Sequence, residues 1–401
     1  MVIGSCACSG KEEIKFEPDA NTEYITLALR EGIYCDVIKE CLPKFMVDNN
    51  VYCEVVELSE DGLHSEVYED APNASGKYDL CMVDGSWMAE YTARNVLSEL
   101  SELGYTLDDD IIPATTTVCY QKDKLYLTPY GGNVTVLLYN KLMMKGAGYE
   151  PGDIDSLEDV MNICKEAKKN RNYGFMYRGD TENNLVVDFL PFLLSFGGWV
   201  VDDSYRPTVD TPEFKRAMEF YLELIETGKA EERDELVVAI ANQAAAMAIG
   251  WPGWYTPDKR SSADYCALSG KVDKNSKSYN ANVYGIWTLG IPANSTHKEA
   301  AIKLLKYLMD KDVQKSTIES GGVPCRYSCL KDEEVLKKFP QYEAVCKALE
   351  SGVYRPIMEE WTDFYTILGK EMKLIIDGEK SIDEGLSDAQ NKLEEMLILK
   401  K

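Results

Sequence analysis

Histidine is nearly missing: His64 and His297 are the only two in 401 residues. A two-histidine zinc motif is therefore excluded. A Cys–His catalytic pair would have to recruit one of two isolated residues, both of which read as surface positions. Cations are also scarce, with 43 Lys and Arg against 68 Asp and Glu and a formal net charge of −25. Phosphate-rich partners need clustered cations, so nucleic acid and anionic membrane surfaces are excluded as electrostatic partners. No apolar run reaches the roughly 18 residues that would span a bilayer. Neither G-x-G-x-x-G nor G-x-x-x-x-G-K-[ST] follows the early strands, and there is no G-x-S-x-G elbow. These absences remove the common nucleotide cradles and one hydrolase nucleophile.

Twelve cysteines occur, but no C-x-x-C. They are too sparse for a disulfide framework and are expected to be buried or free thiols. Cys325 and Cys329, flanking a loop, form the candidate bridge if the compartment oxidises. What the chain does have is 45% hydrophobic residues and 10% aromatics. That supports a well-buried core, divided among two or three domains at about 150 residues each.

The extreme N-terminus carries Ile3-Gly4-Ser5-Cys6, which reads as the tail of a bacterial lipobox with Cys6 as the lipidated residue. Glu12 to Thr22 is polar and contains a proline, as a tether would. The stretch from Cys6 to Thr22 is therefore expected to pack on nothing.

From Tyr24 onward the pattern alternates. Tyr24–Arg30, Val51–Leu58 and Tyr78–Val83 read as strands, with helical spacing of Ile33, Val37, Ile38, Cys41 and Phe45 between the first two. This βαβαβ order predicts a doubly wound, mostly parallel sheet. Ligands sit beyond the carboxyl ends of such strands, so Arg30-Glu31 and Asp84-Gly85-Ser86-Trp87 are placed at a site rim. Pro129-Tyr-Gly-Gly132 reads as a crossing between domains. Ser156 with Asp159 and Thr296 with Glu299 read as capping boxes, and a helix opens at Pro212. Ala244–Ile249 and Tyr284–Ile291 read as strands, residues 258–282 as a polar surface excursion, and the chain after Cys329 as mainly helical.

Trp87, Trp199, Trp251, Trp254 and Trp361 stand at strand ends, turns or beside carboxylates, where a partly exposed ring suits a binding site. Trp287, inside an apolar strand, reads as core. An indole face can stack on the C–H face of a sugar while carboxylates, amides and Arg bind its hydroxyls. Paired carboxylates such as Glu359 and Glu360 are weak evidence for a glycosidase in so acidic a chain.

Several segments, in order, carry a family likeness. They are Tyr78–Leu97, Pro129–Gly148 with Tyr139-Asn140-Lys141 and Gly146-Ala147-Gly148, Phe192–Trp199 followed by Val209–Glu213, Gln243–Trp251, and Gly285–Ala293 followed by Gly321–Arg326. Together they resemble the family 1 extracellular solute-binding proteins of ABC importers, in particular maltose-binding-protein-like sugar receptors, across about residues 22–400. The resemblance implies an α/β fold of two discontinuous lobes, as in periplasmic binding proteins, with an interlobe cleft. Residues 22–128 plus 288–320 would form lobe 1, and 132–284 plus 326–401 lobe 2. Residues 1–21 would be lipobox remnant and tether, and 129–131, 285–287 and 321–325 the hinge crossings. Carried over by position, Asp84, Trp87, Trp199, Trp251, Trp254, Arg326 and Trp361 would line the cleft. The segment Thr181-Glu-Asn-Asn184 departs from the family pattern, which leaves the sugar unidentified.

The implied activity is capture of a carbohydrate and its delivery to an ABC permease. No catalysis, cofactor or metal is implied. The protein would be monomeric, extracytoplasmic and held at the membrane through Cys6. The alternatives are a receptor for another small polar solute, such as a polyamine or glycerol phosphate, and a surface glycosidase.

Overall fold

The computed structural model describes residues 14–150, 152–255 and 261–399. Cys6 and the lipobox-like residues lie outside the described residues. The strands that position the cleft are, in chain order, β1 (Glu23–Arg30), β2 (Val51–Leu58), β3 (Leu80–Asp84), β4 (Thr128–Gly131), β5 (Val136–Asn140), β6 (Tyr173–Tyr177), β7 (Lys229–Ala230), β8 (Ala245–Gly250), β9 (Ala263–Cys266), β10 (Val283–Tyr284), β11 (Trp287–Gly290) and β12 (Val353–Tyr354).

One five-stranded sheet runs β2-β1-β3-β11-β4. Its βαβαβ half is parallel, as the alternation predicts, and β11 then joins antiparallel to both β3 and β4. The sheet is thus mixed, because β11 arrives from far along the chain. At the edge, β2 alternates buried Val51 and Cys53 with exposed Tyr52 and Glu54, whereas all five residues of β3 are buried. The helix Ile33–Asn49 covers the sheet with Val37, Ile38, Cys41 and Phe45.

The second sheet runs β9-β5-β8-β6-β7. Both of its faces are covered, which explains the continuous apolar runs of its central strands. Along β5, Leu137 and Tyr139 enter one core with Phe175, Phe189 and Phe214. Val136 and Leu138 enter another, with Met176, Leu236 and the late residues Val345 and Leu349. The helices Leu157–Lys169 and Pro212–Ile225 bury the apolar stripes expected of them. The first is capped by Ser156, whose Oγ accepts from the Asp159 amide at 3.3 Å.

The two sheets are the hearts of two lobes, each assembled from separated stretches of chain. The segments passing between them lie side by side. Gly132 N donates to Val323 O at 2.6 Å, and Gly285 N donates to Asn133 O at 2.9 Å. Pro324 bridges Gly131. A side chain on Gly132 would meet Val323 O at 3.0 Å, so the crossings approach closely.

Several local expectations are corrected. The run Tyr284–Ile291 is not one strand: β10 pairs with β12, β11 joins the first sheet, and the two are separated at Gly285-Ile286. The Thr296 capping box does not form. The N-cap of helix Lys298–Leu308 is His297, which makes no side-chain cap, and its Nδ1 lies 3.2 Å from Glu23 Oε1 instead. The excursion 258–282 contributes edge strand β9, with Ala263 and Tyr265 buried. Cys325 and Cys329 are buried and unbridged. The described part of the tether is pinned rather than free. Phe16 stacks on Tyr52 at 6.3 Å, and Thr22 Oγ1 and Asp19 Oδ1 engage the Asn50 side chain at 2.9 and 3.0 Å.

Gly228 precedes β7 where the chain touches β6. A Cβ there would lie 1.7 Å from Phe175 O, a contact that requires the backbone to move. Gly228→Ala is expected to destabilise the second lobe by at least about 2 kcal/mol, read as a lowered urea midpoint.

Candidate functional site

Between the lobes lies a cleft of about 670 Å³. Its walls come from the carboxyl ends of β1, β3 and β6, the turn after β8 and the crossing segments. Arg30 and Asp84 end β1 and β3, and both line the cleft. The strand-end rule therefore locates this rim.

Asp84 is the fixed point of the first-lobe wall. Both oxygens of its carboxylate accept from Arg355 Nη2, at 2.8 and 2.6 Å, and both residues are buried. Asp84 Oδ1 also accepts from Ser86 N at 2.9 Å and Ser86 Oγ at 2.8 Å, capping the turn Gly85–Trp87. Glu60 stands nearby at the start of helix Glu60–Asp70. Removal from water, reinforced by the Asp84 charge, holds its carboxyl above the ordinary carboxylate range against the opposing pull of Arg355 and Arg30.

Three indoles face the cleft. Trp287 is braced by Trp87, edge-on at 5.7 Å, and by Tyr34 at 5.7 Å, with the Arg30 guanidinium 6.0 Å from its ring centre. Arg30 Nε is buried with no acceptor among the described residues, which makes it a donor suited to a ligand oxygen. Trp251 lies against Gly285, where a Cβ would come within 2.9 Å of the ring. Trp254 has the Arg178 guanidinium 4.9 Å from its centroid. Arg178 is locked in turn by the buried Asp188, through Nε at 3.1 Å, and by Asn184 Oδ1 at 2.7 Å.

Of the seven residues the resemblance carried over, the structure brings Asp84, Trp251 and Trp254 to the cleft. The other four lie elsewhere. Trp87 packs behind Trp287 against His64 and Tyr91. Trp199 is partly buried against the second-lobe core. Arg326 is 3% exposed and tied to Gln314, Asp108 and Asp110 at 2.9, 2.7 and 3.2 Å. Trp361 is 4% exposed and stacked on Phe364 at 5.6 Å. Trp287, read as core, is both buried and part of the wall.

Sequence reasoning missed Glu60, Asp180 to Asn184, Glu232 to Asp234, Arg355 and Tyr365, all of which line the cleft. The strand-end rule applied to β6 would have found Arg178 and the segment after it. Arg355 follows a two-residue strand and carries no local signal.

A profile of bacterial extracellular solute-binding proteins matches residues 48–315. A probable amino-acid ABC transporter periplasmic-binding protein of Sinorhizobium fredii is 24% identical over 371 residues, covering 88% of this chain and 84% of that one. Among solved structures, a ribitol-bound ABC transporter solute-binding protein of Agrobacterium radiobacter superposes with a TM-score of 0.80 at 23% identity. That match covers 95% of this chain and all of the other. Maltose-bound MalE3 of T. maritima superposes with a TM-score of 0.79 at 21% identity, covering 94% of this chain and all of the other. The chain belongs to the bacterial extracellular solute-binding family.

The raised Glu60 carboxyl has a sign that can be tested. A carboxyl whose folded pKa lies above its unfolded value favours folding in its protonated form, and that advantage fades as pH rises through the folded value. Glu60→Gln is therefore expected to raise the Tm at pH 7 relative to the unmodified chain. Near about pH 3.5, where the carboxyl is protonated in both states, the difference should vanish.

Proposed function

We propose that this chain is an extracytoplasmic receptor that captures a carbohydrate or polyol in the interlobe cleft and delivers it to an ABC permease. The observation carrying this reading is the convergence of Trp251, Trp254 and Trp287 on one cleft whose remaining wall is polar. Indole faces stack on the C–H surfaces of a sugar, and fixed carboxylates, amides and guanidiniums meet its hydroxyls. A volume of about 670 Å³ lies within the usual range for small-molecule sites. Ribitol and maltose in the structural neighbours support the same ligand class.

The lobe boundaries at 129–131, 285–287 and 321–325 belong to this proposal, because closure about the crossings would bring the two walls onto the ligand. Lipidation at Cys6, a monomeric state and the absence of catalysis belong to it as well. The contact set is proposed as Asp84, Trp251, Trp254 and Trp287, with Arg30 and Arg355. Trp87, Trp199, Arg326 and Trp361 act from behind the wall or apart from it.

A thermal-shift panel of sugars and polyols tests the reading, with stabilisation by at least one member and no released product expected. Release of sugar from an oligosaccharide would overturn it in favour of a glycosidase. With a ligand in hand, Trp251→Ala or Trp254→Ala is expected to weaken calorimetric affinity by about 1–3 kcal/mol through loss of a stacking face. Trp361→Ala should instead lower stability by about 3–5 kcal/mol, because its ring fills the second-lobe core.

A further inference from the structure

We propose that the cleft selects a cationic solute: a hydroxylated, sugar-sized molecule carrying at least one protonated amine, held between carboxylates of both lobes. This rests on the receptor reading above and narrows its ligand class. The charges in the cleft that are already matched set what a ligand must carry. Among the described residues, each of the four guanidiniums that line the cleft is engaged by a carboxylate. Arg355 is paired with Asp84, and Arg233 Nε with Asp234 at 2.7 Å. Arg178 is paired with Asp188 and Arg30 with Glu31, at 3.1 and 3.3 Å, and neither of those acids lines the cleft.

The lining carboxylates outnumber these cations. Glu60, Asp61, Glu182 and Glu232 line the cleft without a side-chain hydrogen bond or close ion pair among the described residues. Among the described residues, the Asp180 carboxylate is met by the Asn184 amide, at 3.0 Å. Glu60 and Asp61 open a first-lobe helix, whereas Glu182 and Glu232 stand at the starts of second-lobe helices. Negative charge therefore faces the cleft from both sides, and each side opposes the approach of the other.

A neutral polyol would leave that repulsion in place when the lobes close, because hydroxyls cannot neutralise a carboxylate. An ammonium group can, and an indole face receives it favourably. The charge is also spread along the cleft. Among the described residues no group of three or more Asp, Glu, His or Cys side chains is placed to hold a metal ion. An extended organic cation fits this spread better than a point charge. Arg30 Nε, buried without an acceptor among the described residues, and the three indoles account for the hydroxylated skeleton that a simple polyamine lacks.

The test compares compounds of one skeleton on the full chain by calorimetry at pH 7. These are the β-1,4 disaccharide of glucosamine, its N-acetylated form and cellobiose, with spermidine and ribitol alongside. The amine disaccharide is expected to bind at least tenfold more tightly than either neutral analogue. Its advantage should shrink when the Debye length falls from about 10 Å at 0.1 M salt to about 3 Å at 1 M. It should also shrink in the Glu182→Gln, Glu232→Gln double variant, which removes no contact seen in the fold; the salt series on the unmodified chain stands independently of that variant's folding. Equal or tighter binding of a neutral analogue or of ribitol overturns the charge selection and leaves the carbohydrate reading standing. Binding of spermidine with none of the other compounds overturns both. Failure of every amine to bind overturns the selection, as does an amine advantage indifferent to both salt and the glutamate variants.

Discussion

The buried ion pair between Asp84 and Arg355 joins the end of a central strand to a segment that arrives 271 residues later. Both groups are buried, so each is stable only because the other is present. Removing one partner of such a pair commonly costs about 3–5 kcal/mol, since a charge is left without compensation. The pair also fixes its surroundings. Asp84 caps the turn that begins at Gly85, and a side chain on Gly85 would press on Tyr354 at 3.1 Å. Tyr354 in turn lies edge-on to Tyr284 at 4.6 Å and donates to Thr115 O at 2.6 Å. The cleft floor is thereby tied to the crossing segments.

That arrangement separates two self-contained walls from the junction that links them. Each lobe has its own covered sheet, and the segments between them are few, short and hydrogen-bonded to one another. Gly285 lets the Trp251 ring lie directly on a crossing, so a wall residue and the junction share one contact. The indoles are braced from behind. Trp87 supports Trp287, and the Asp188–Arg178 pair supports Trp254. Preorganised faces of this kind limit the ordering cost of binding.

Residues with local signatures were legible in the sequence. The parallel half of the first sheet, the Ser156 and Pro212 helix starts and the turn Trp251–Trp254 follow from periodicity and capping. So did Asp84, as the residue ending a buried strand. Trp361 and Arg326 misled for a common reason. A tryptophan beside two glutamates, or an arginine after a glycine-rich turn, has the same sequence appearance whether it faces water or the core. Arg326 is surrounded by Asp108, Asp110 and Gln314, all brought in from elsewhere in the chain.

The sequence by itself determined the parallel strands of the first sheet, the helix starts at Ser156 and Pro212, the excess of acidic residues, the excluded chemistries and the family likeness, because these depend on spacing and composition within short windows. Only the tertiary structure decided that Tyr284–Ile291 divides between two sheets, that Trp287 is a wall as well as core, and which carboxylates remain unmatched. Those outcomes depend on which distant residue meets which. Arg355 and Asp84 illustrate the reason: their pairing lowers the energy of both only once the chain has closed the loop between them, and no local pattern encodes that closure.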